Sequence, residues 1–227
     1  MSSATRPARR GVPALLLAAG LLLAGCGGNA DADAGADAGS GGHDHSAGPP
    51  ATLAEDDGGY EGLHLADPYQ KPEFTLTDST GAAFDFAEGT AAGPTLLFFG
   101  YTHCPDVCPT TMADVALALR TVDPAVAAQT NVVFVTTDPA RDTPEVLGEY
   151  LGRFDADLAA PFVGLTGDQG QIDEAQLAAG VPQAEDNGQL HSSLLLLYGT
   201  DGEADVAFDA ENTARDIAHD LALVAAE

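Results

Sequence analysis

Positive charge is what this chain of 227 residues has least of. Lysine and arginine together number 8 against 35 aspartates and glutamates, a formal net charge of −27. Lys71 is the single lysine. Nucleic-acid binding is thereby excluded, because phosphate contacts are made chiefly by lysine and arginine. Anionic lipid heads would repel the same surface, so the folded part has no means of lying on a membrane by charge. The acidity attracts cations in general and selects none of them; solubility or adaptation to salt explains it as well. Long apolar runs are also missing. The stretch Gly11 to Leu23 is almost wholly apolar, yet it falls short of the ~20 residues that span a bilayer. Cysteine is scarce, with Cys26, Cys104 and Cys108 making up the total.

What is present begins with a targeting pattern. Arg6, Arg9 and Arg10 precede the apolar stretch, and Ala24 and Gly25 follow it. That is the layout of a secretory signal peptide. Leu23-Ala24-Gly25-Cys26 resembles a bacterial lipobox, in which cleavage before the cysteine is followed by acylation of its thiol. Residues 1–25 are therefore expected to be a lipoprotein signal peptide. Cys26 is expected to anchor the chain by lipid to the outer face of the cytoplasmic membrane. The alternative is a secreted chain with an incidental thiol, which would be a liability outside the cell. An acylated Cys26 leaves Cys104 and Cys108 for chemistry.

From Gly27 to about Asp67 the chain is glycine, alanine, aspartate, serine and proline, with few large apolar residues. This composition predicts a flexible acidic linker over 26–66 and a folded domain over 67–227. Within the linker, His43-Asp44-His45 is either a transient metal-capture point or plain polar spacer. In the domain, 74–78 and 84–86 alternate as two strands around the Ser79-Thr80-Gly81 turn, an N-terminal hairpin. The runs 94–100, 131–136 and 193–198 read as buried strands. Residues 106–122, 144–154, 168–179 and 213–226 have helical patterns, Pro144 suiting a first turn and Thr213 an N-cap. A short strand at 204–208 follows the Thr200-Asp201-Gly202 turn. Buried strands separated by helices imply parallel crossovers, and the last pair implies an antiparallel hairpin. The expected class is α/β, a thioredoxin-like fold with a central mixed sheet flanked by helices.

The chemistry concentrates in Gly100-Tyr101-Thr102-His103-Cys104-Pro105-Asp106-Val107-Cys108-Pro109. The segment follows a buried strand and opens a helix, the end of a sheet where ligands bind. A thiol at a helix N-terminus is biased toward thiolate, the form that binds metal and attacks disulfides. Positions four apart on a helix lie on one face, with Cβ atoms ~5–6 Å apart. That separation suits two sulfurs on one ion at ~2.3 Å each, and it also permits a disulfide. Spacing alone leaves both open. A peroxidase is disfavoured, because Tyr101 stands where peroxiredoxins carry threonine. His191, in 189–194 ahead of a buried strand, would by itself be an ordinary loop histidine.

Three segments taken together resemble the Sco/SenC family of copper chaperones. The first is the cysteine segment above. The second is Thr137-Asp138-Pro139-Ala140-Arg141-Asp142-Thr143-Pro144, and the third is His191-Ser192-Ser193. The resemblance implies a thioredoxin-like domain holding one copper, Cu(I) or Cu(II), through Cys104, Cys108 and His191. It implies assistance in assembling the binuclear copper site of cytochrome c oxidase. The implied partners are the copper-bearing oxidase subunit and other copper chaperones. Two thiolates and an imidazole form a soft donor set that favours copper over hard cations. The competing reading is a thiol–disulfide oxidoreductase, with Cys104 and Cys108 as its redox pair acting on the oxidase subunit's cysteines. Asp138 is expected close behind the ligands or capping a turn. Arg141 is expected to pair with Asp142, Asp106 to cap the helix, and His103 to point away. His64 and His219 show no partner pattern in the sequence and are expected to be surface residues.

Overall fold

The apolar runs become the middle of one sheet. The structure, a computed structural model, describes residues 51–227; residues 1–25, expected to be a signal peptide, with Cys26 and His43-Asp44-His45, lie outside the described residues. In chain order the elements are β1 (Leu63–Gln70), β2 (Thr75–Asp78), β3 (Ala83–Asp85), α1 (Phe86–Gly89), β4 (Thr95–Gly100), α2 (Val107–Thr121) and α3 (Pro124–Gln129). They continue with β5 (Asn131–Thr136), α4 (Pro144–Asp155), β6 (Val163–Thr166), α5 (Gln169–Ala178), β7 (Leu195–Tyr198), β8 (Glu203–Phe208) and α6 (Ala214–Val224). The eight strands form one sheet in the order β1-β8-β7-β4-β5-β6-β2-β3. β4, β5 and β6 run parallel, and the other pairings are antiparallel. The expected mixed sheet, with its β2–β3 hairpin and β7–β8 pair, is what forms.

Every residue of β4 and β7 is buried, because helices cover both faces of the central strands. Leu96 and Phe98 of β4, with Val132 and Phe134 of β5, face α2, α4 and α6. Leu97, Phe99, Val133 and Val135 face the other way, toward α5 and Phe86. Two-residue alternation thus sorts one continuous apolar run into two cores.

Several elements depart from the expected list. β6 was not anticipated: its four residues include Gly164, and the spacing is too short to show a period. The glycine is needed where α4 packs, since a Cβ there would lie 2.9 Å from a Leu151 methyl. α3 is also additional, opened by Pro124 and capped by the Asp123 carboxylate, which accepts from the Ala125 N–H at 2.8 Å. Ordered structure begins ahead of residue 67, inside the span expected to be linker. β1 pairs with β8 from Leu63 onward, and Leu53 bridges to Leu65 on β1's outer side. The register slips between His64 and Tyr69, the stretch holding Pro68, which has no N–H to give a ladder. Composition hid this strand because Asp67 and Pro68 interrupt it.

α6 grips the same segment. The Asp220 carboxylate is fully buried and accepts from the backbone N–H groups of Glu61 at 2.9 Å and Gly62 at 2.8 Å. His219 Nδ1 lies 2.9 Å from the same carboxylate. His64 Nδ1 lies 2.8 Å from the Asp56 carbonyl. Residue spacing shows neither partner, because one is a backbone carbonyl in a turn and the other a buried neighbour on the same helix.

Candidate metal centre

The cysteine loop leaves the carboxyl end of β4 and enters α2. Tyr101 is buried at the turn, and its carbonyl accepts from the Cys104 N–H at 3.2 Å. Asp106 occupies the N-cap position of α2 but makes no side-chain capping bond, contrary to the expectation. The sulfur of Cys104 takes that part, 3.4 Å from the Cys108 N–H. One of the orphan donors of the helix's first turn is thereby spent on a thiol.

The two thiols are unequal. Both are free. Cys108 is fully buried against the core, whereas Cys104 is half-buried at the rim. Burial pushes the Cys108 thiol well above its ordinary pKa, more than the Tyr101 backbone can offset. At Cys104 burial also acts upward, but the N–H groups of Cys108, Asp106 and Val107, with the Cys108 thiol, outweigh it and bring the pKa below its ordinary value. Gly100 makes room for the buried sulfur: a Cβ there would stand 2.9 Å from Cys108 Sγ and 2.7 Å from the Phe98 ring.

His191 arrives from the opposite side, on the segment leading into β7. Its Nδ1 lies 2.8 Å from the Ser192 carbonyl. A carbonyl only accepts, so Nδ1 carries the proton and Nε2 keeps a free lone pair. That Nε2 is 3.7 Å from Cys108 Sγ. Tyr101 and Phe98 stand edge-on to the imidazole at centroid distances of 5.6 and 6.2 Å, which fixes its plane. The ligand atoms of Cys104, Cys108 and His191 all lie within 4.8 Å of one another, making the one metal-capable cluster among the described residues. The segment before His191 is pinned by Gly188, whose carbonyl accepts from Thr137 Oγ1 at 2.7 Å. Gly188 has φ +84°, and a Cβ would collide with the Thr137 carbonyl at 1.9 Å, so only glycine fits there.

Behind the cysteine loop the 138–142 turn differs from expectation. Arg141 pairs with Asp138, not Asp142. Its guanidinium carbon also lies 5.9 Å from the Tyr101 ring centroid. Asp138 is buried and makes no hydrogen bond to either thiol or to His191. Asp142 is the residue that sequence reasoning undervalued. Fully buried, it accepts from the Thr102 N–H at 2.9 Å, Thr102 Oγ1 at 2.6 Å and Thr136 Oγ1 at 2.7 Å. It thus ties the cysteine loop to the end of β5. The sequence signal was a lone acid before a threonine and proline, which reads equally well as a helix cap. His103 points toward this carboxylate, with Nδ1 3.7 Å from Asp142 Oδ1, and stays outside the cluster.

The sequence model of the SCO1/SenC family matches residues 64–226. The chain belongs to the SCO1/SenC family. This family member is 36% identical over 137 residues to a Stutzerimonas stutzeri protein described as copper-binding, covering 58% of this chain and 65% of that one. It is 31% identical over 148 residues to the human mitochondrial SCO1 homologue, covering 62% of this chain and 48% of the other. The chain therefore spans about two thirds or less of these relatives' length. Among solved structures, the copper-bound ScoI of Bradyrhizobium japonicum superposes with a TM-score of 0.56 at 33% identity, covering 70% of this chain and 98% of that one. BsSco, described as a Sco-family cytochrome c oxidase assembly protein with a disulfide switch, matches with a TM-score of 0.55 at 26% identity, over 73% of this chain and 96% of its own. The fold of this SCO1/SenC protein is accordingly thioredoxin-like, as its motifs implied.

Proposed function

We propose that this SCO1/SenC protein is an extracytoplasmic copper chaperone, anchored by lipid at Cys26. On this reading it holds one copper through Cys104, Cys108 and His191 and passes it toward the binuclear copper site of cytochrome c oxidase. The observation that carries the proposal is the meeting of His191 Nε2 with two sulfurs that belong to another loop. The donor set fits the ion: two thiolates and an imidazole suit copper, and Cu(I) needs no fourth protein ligand. Binding displaces thiol protons, and the ion's charge offsets the burial that keeps Cys108 protonated. Its relatives support the same reading, one described as copper-binding and one solved with copper. Asp138 acts at one remove, steadying Arg141 against the Tyr101 ring that borders His191.

The test is titration of the reduced chain with Cu(I), read by metal content and X-ray absorption. One copper per chain with sulfur and nitrogen neighbours is expected, and His191→Ala should remove the nitrogen contribution and weaken retention. Retention and spectrum indifferent to His191→Ala would overturn the assignment.

A second reading, thiol–disulfide exchange on the oxidase subunit's cysteines, is favoured by the unequal thiols. The Cys104 thiolate would attack a partner disulfide, forming a mixed disulfide and releasing one partner thiolate, which takes up a proton. Deprotonated Cys108 would then attack Cys104 Sγ, leaving a Cys104–Cys108 disulfide and the second partner thiol. Exchange activity unaffected by His191→Ala would favour this reading.

A further inference from the structure

A groove adjoins the metal centre and extends beyond it. Its floor is apolar, made by Val107, Leu195, Phe208 and Ile217. Its volume is about 140 Å³, close to the size of an apolar cavity that takes a benzene-sized group. Around it stand the carboxylates of Asp106, Asp114 and Asp209, and among the described residues no lysine or arginine lines it. Position ties the groove to the thiols and the imidazole. Asp106 and Val107 lie between the two cysteines, and Ser193, also in the wall, is two residues past His191.

We infer that this groove is where a partner protein docks, by an extended segment that seats one aliphatic side chain on the floor and sets lysine or arginine against the acidic rim. Charge decides the occupant. A second copy of the chain would bring a net charge of −27 to a rim that is itself negative, and like charges opposed across an interface repel. A basic segment is attracted by the same field and steered toward the metal centre. Asp114 fits this role: burial lifts its carboxyl above the ordinary value, with the Ala214 N–H drawing it part of the way back. A partly desolvated carboxylate of that kind gains from a cation beside it. The inference rests on the reading of Cys104, Cys108 and His191 as a transfer site, since docking beside them would present an acceptor directly to the metal.

The experiment uses the purified full chain, reduced and metal-free, and a blocked lysine–leucine–lysine peptide at physiological salt. Binding is followed by amide chemical shifts and calorimetry. Saturable shifts concentrated at Val107, Thr111, Phe208 and Asn212 are expected. Asp114→Asn with Asp209→Asn should weaken binding about tenfold or more, as should serine in place of the peptide's leucine. Glu149→Gln with Glu174→Gln, two exposed acids on other helices, should leave it unchanged. Shifts scattered over the acidic surface, equal affinity in the groove variant, equal affinity for the serine peptide, or self-association through the groove would each overturn the inference. Copper loading is measured in parallel. Normal loading with no groove binding defeats the docking site alone; groove binding with no loading defeats the copper reading alone.

Discussion

Asp142→Ala tests how the cysteine loop is held. The carboxylate is fully buried and receives three hydrogen bonds, from the Thr102 N–H, Thr102 Oγ1 and Thr136 Oγ1. The Thr102 hydroxyl can turn to His103 Nδ1, 3.0 Å away, but the Thr102 N–H has no such freedom. A buried donor left without a partner costs about 1–3 kcal/mol, and each hydrogen bond to a charged group contributes about 1.5–3 kcal/mol. Relief from desolvating a buried charge opposes these terms. The net expectation is a loss of about 3–5 kcal/mol, within the range for a broken buried polar network. For a chain of this size that lowers the melting temperature by roughly 6–20 °C. Asp142→Asn keeps the shape and should cost less, because the amide oxygen still serves the Thr102 N–H while its NH₂ faces a hydroxyl that turns to accept. The assay is denaturant unfolding of the reduced, metal-free chain, with Cu(I) affinity measured beside it. A loss below about 0.5 kcal/mol for Asp142→Ala, the scale of an ordinary surface change, would refute the reasoning. So would a large loss of stability with copper affinity intact, since the loop would then be held by something else.

Gly100→Ala should cost about 1–3 kcal/mol by overpacking and should also weaken copper binding, because the new methyl meets Cys108 Sγ and the Phe98 ring; unchanged metal affinity would show that the sulfur has room to move. Under native conditions iodoacetamide should label Cys104 well before Cys108, given the rim position and lowered pKa of the first and the full burial of the second. Mass spectrometry of early time points decides this, and equal labelling would contradict the burial. At Asp78 the Thr80 hydroxyl leads several hydrogen bonds that hold the carboxyl below its ordinary value. A depressed folded pKa contributes stability above the unfolded value of ~3.9 and loses it as pH falls through the folded value. Asp78→Asn should therefore be slightly less stable than wild type at pH 7, with the gap closing in acid. A gap independent of pH would assign the effect to shape alone.

Much of this protein was legible without coordinates. The apolar runs at β4, β5 and β7 read as buried strands because they are short and near-continuously apolar, as strands covered on both faces are. Cys104 and Cys108 were legible as a pair because only three residues separate them, but Cys104 sits in the loop ahead of α2 and not on a shared helix face. The motif resemblance added His191, which no periodicity indicates. Short or interrupted elements escaped: β6 has too few residues to show a period, and β1 is broken by Asp67 and Pro68.

Tertiary structure alone decided the rest. Which carboxylate Arg141 meets, and that Asp142 instead binds a threonine 40 residues away, depends on how β4 and β5 lie side by side, which local spacing cannot encode. The inequality of the two thiols arises from the full burial of Cys108 beneath Gly100, which the N–H groups near its sulfur do not offset, whereas those at the half-buried Cys104 outweigh burial. The approach of His191 Nε2 to Cys108 across 83 residues depends on β7 lying antiparallel beside β4. Sequence determines the donors, because ligand chemistry belongs to residue type. Folding determines whether they converge, because distance between remote residues is set by strand order and packing.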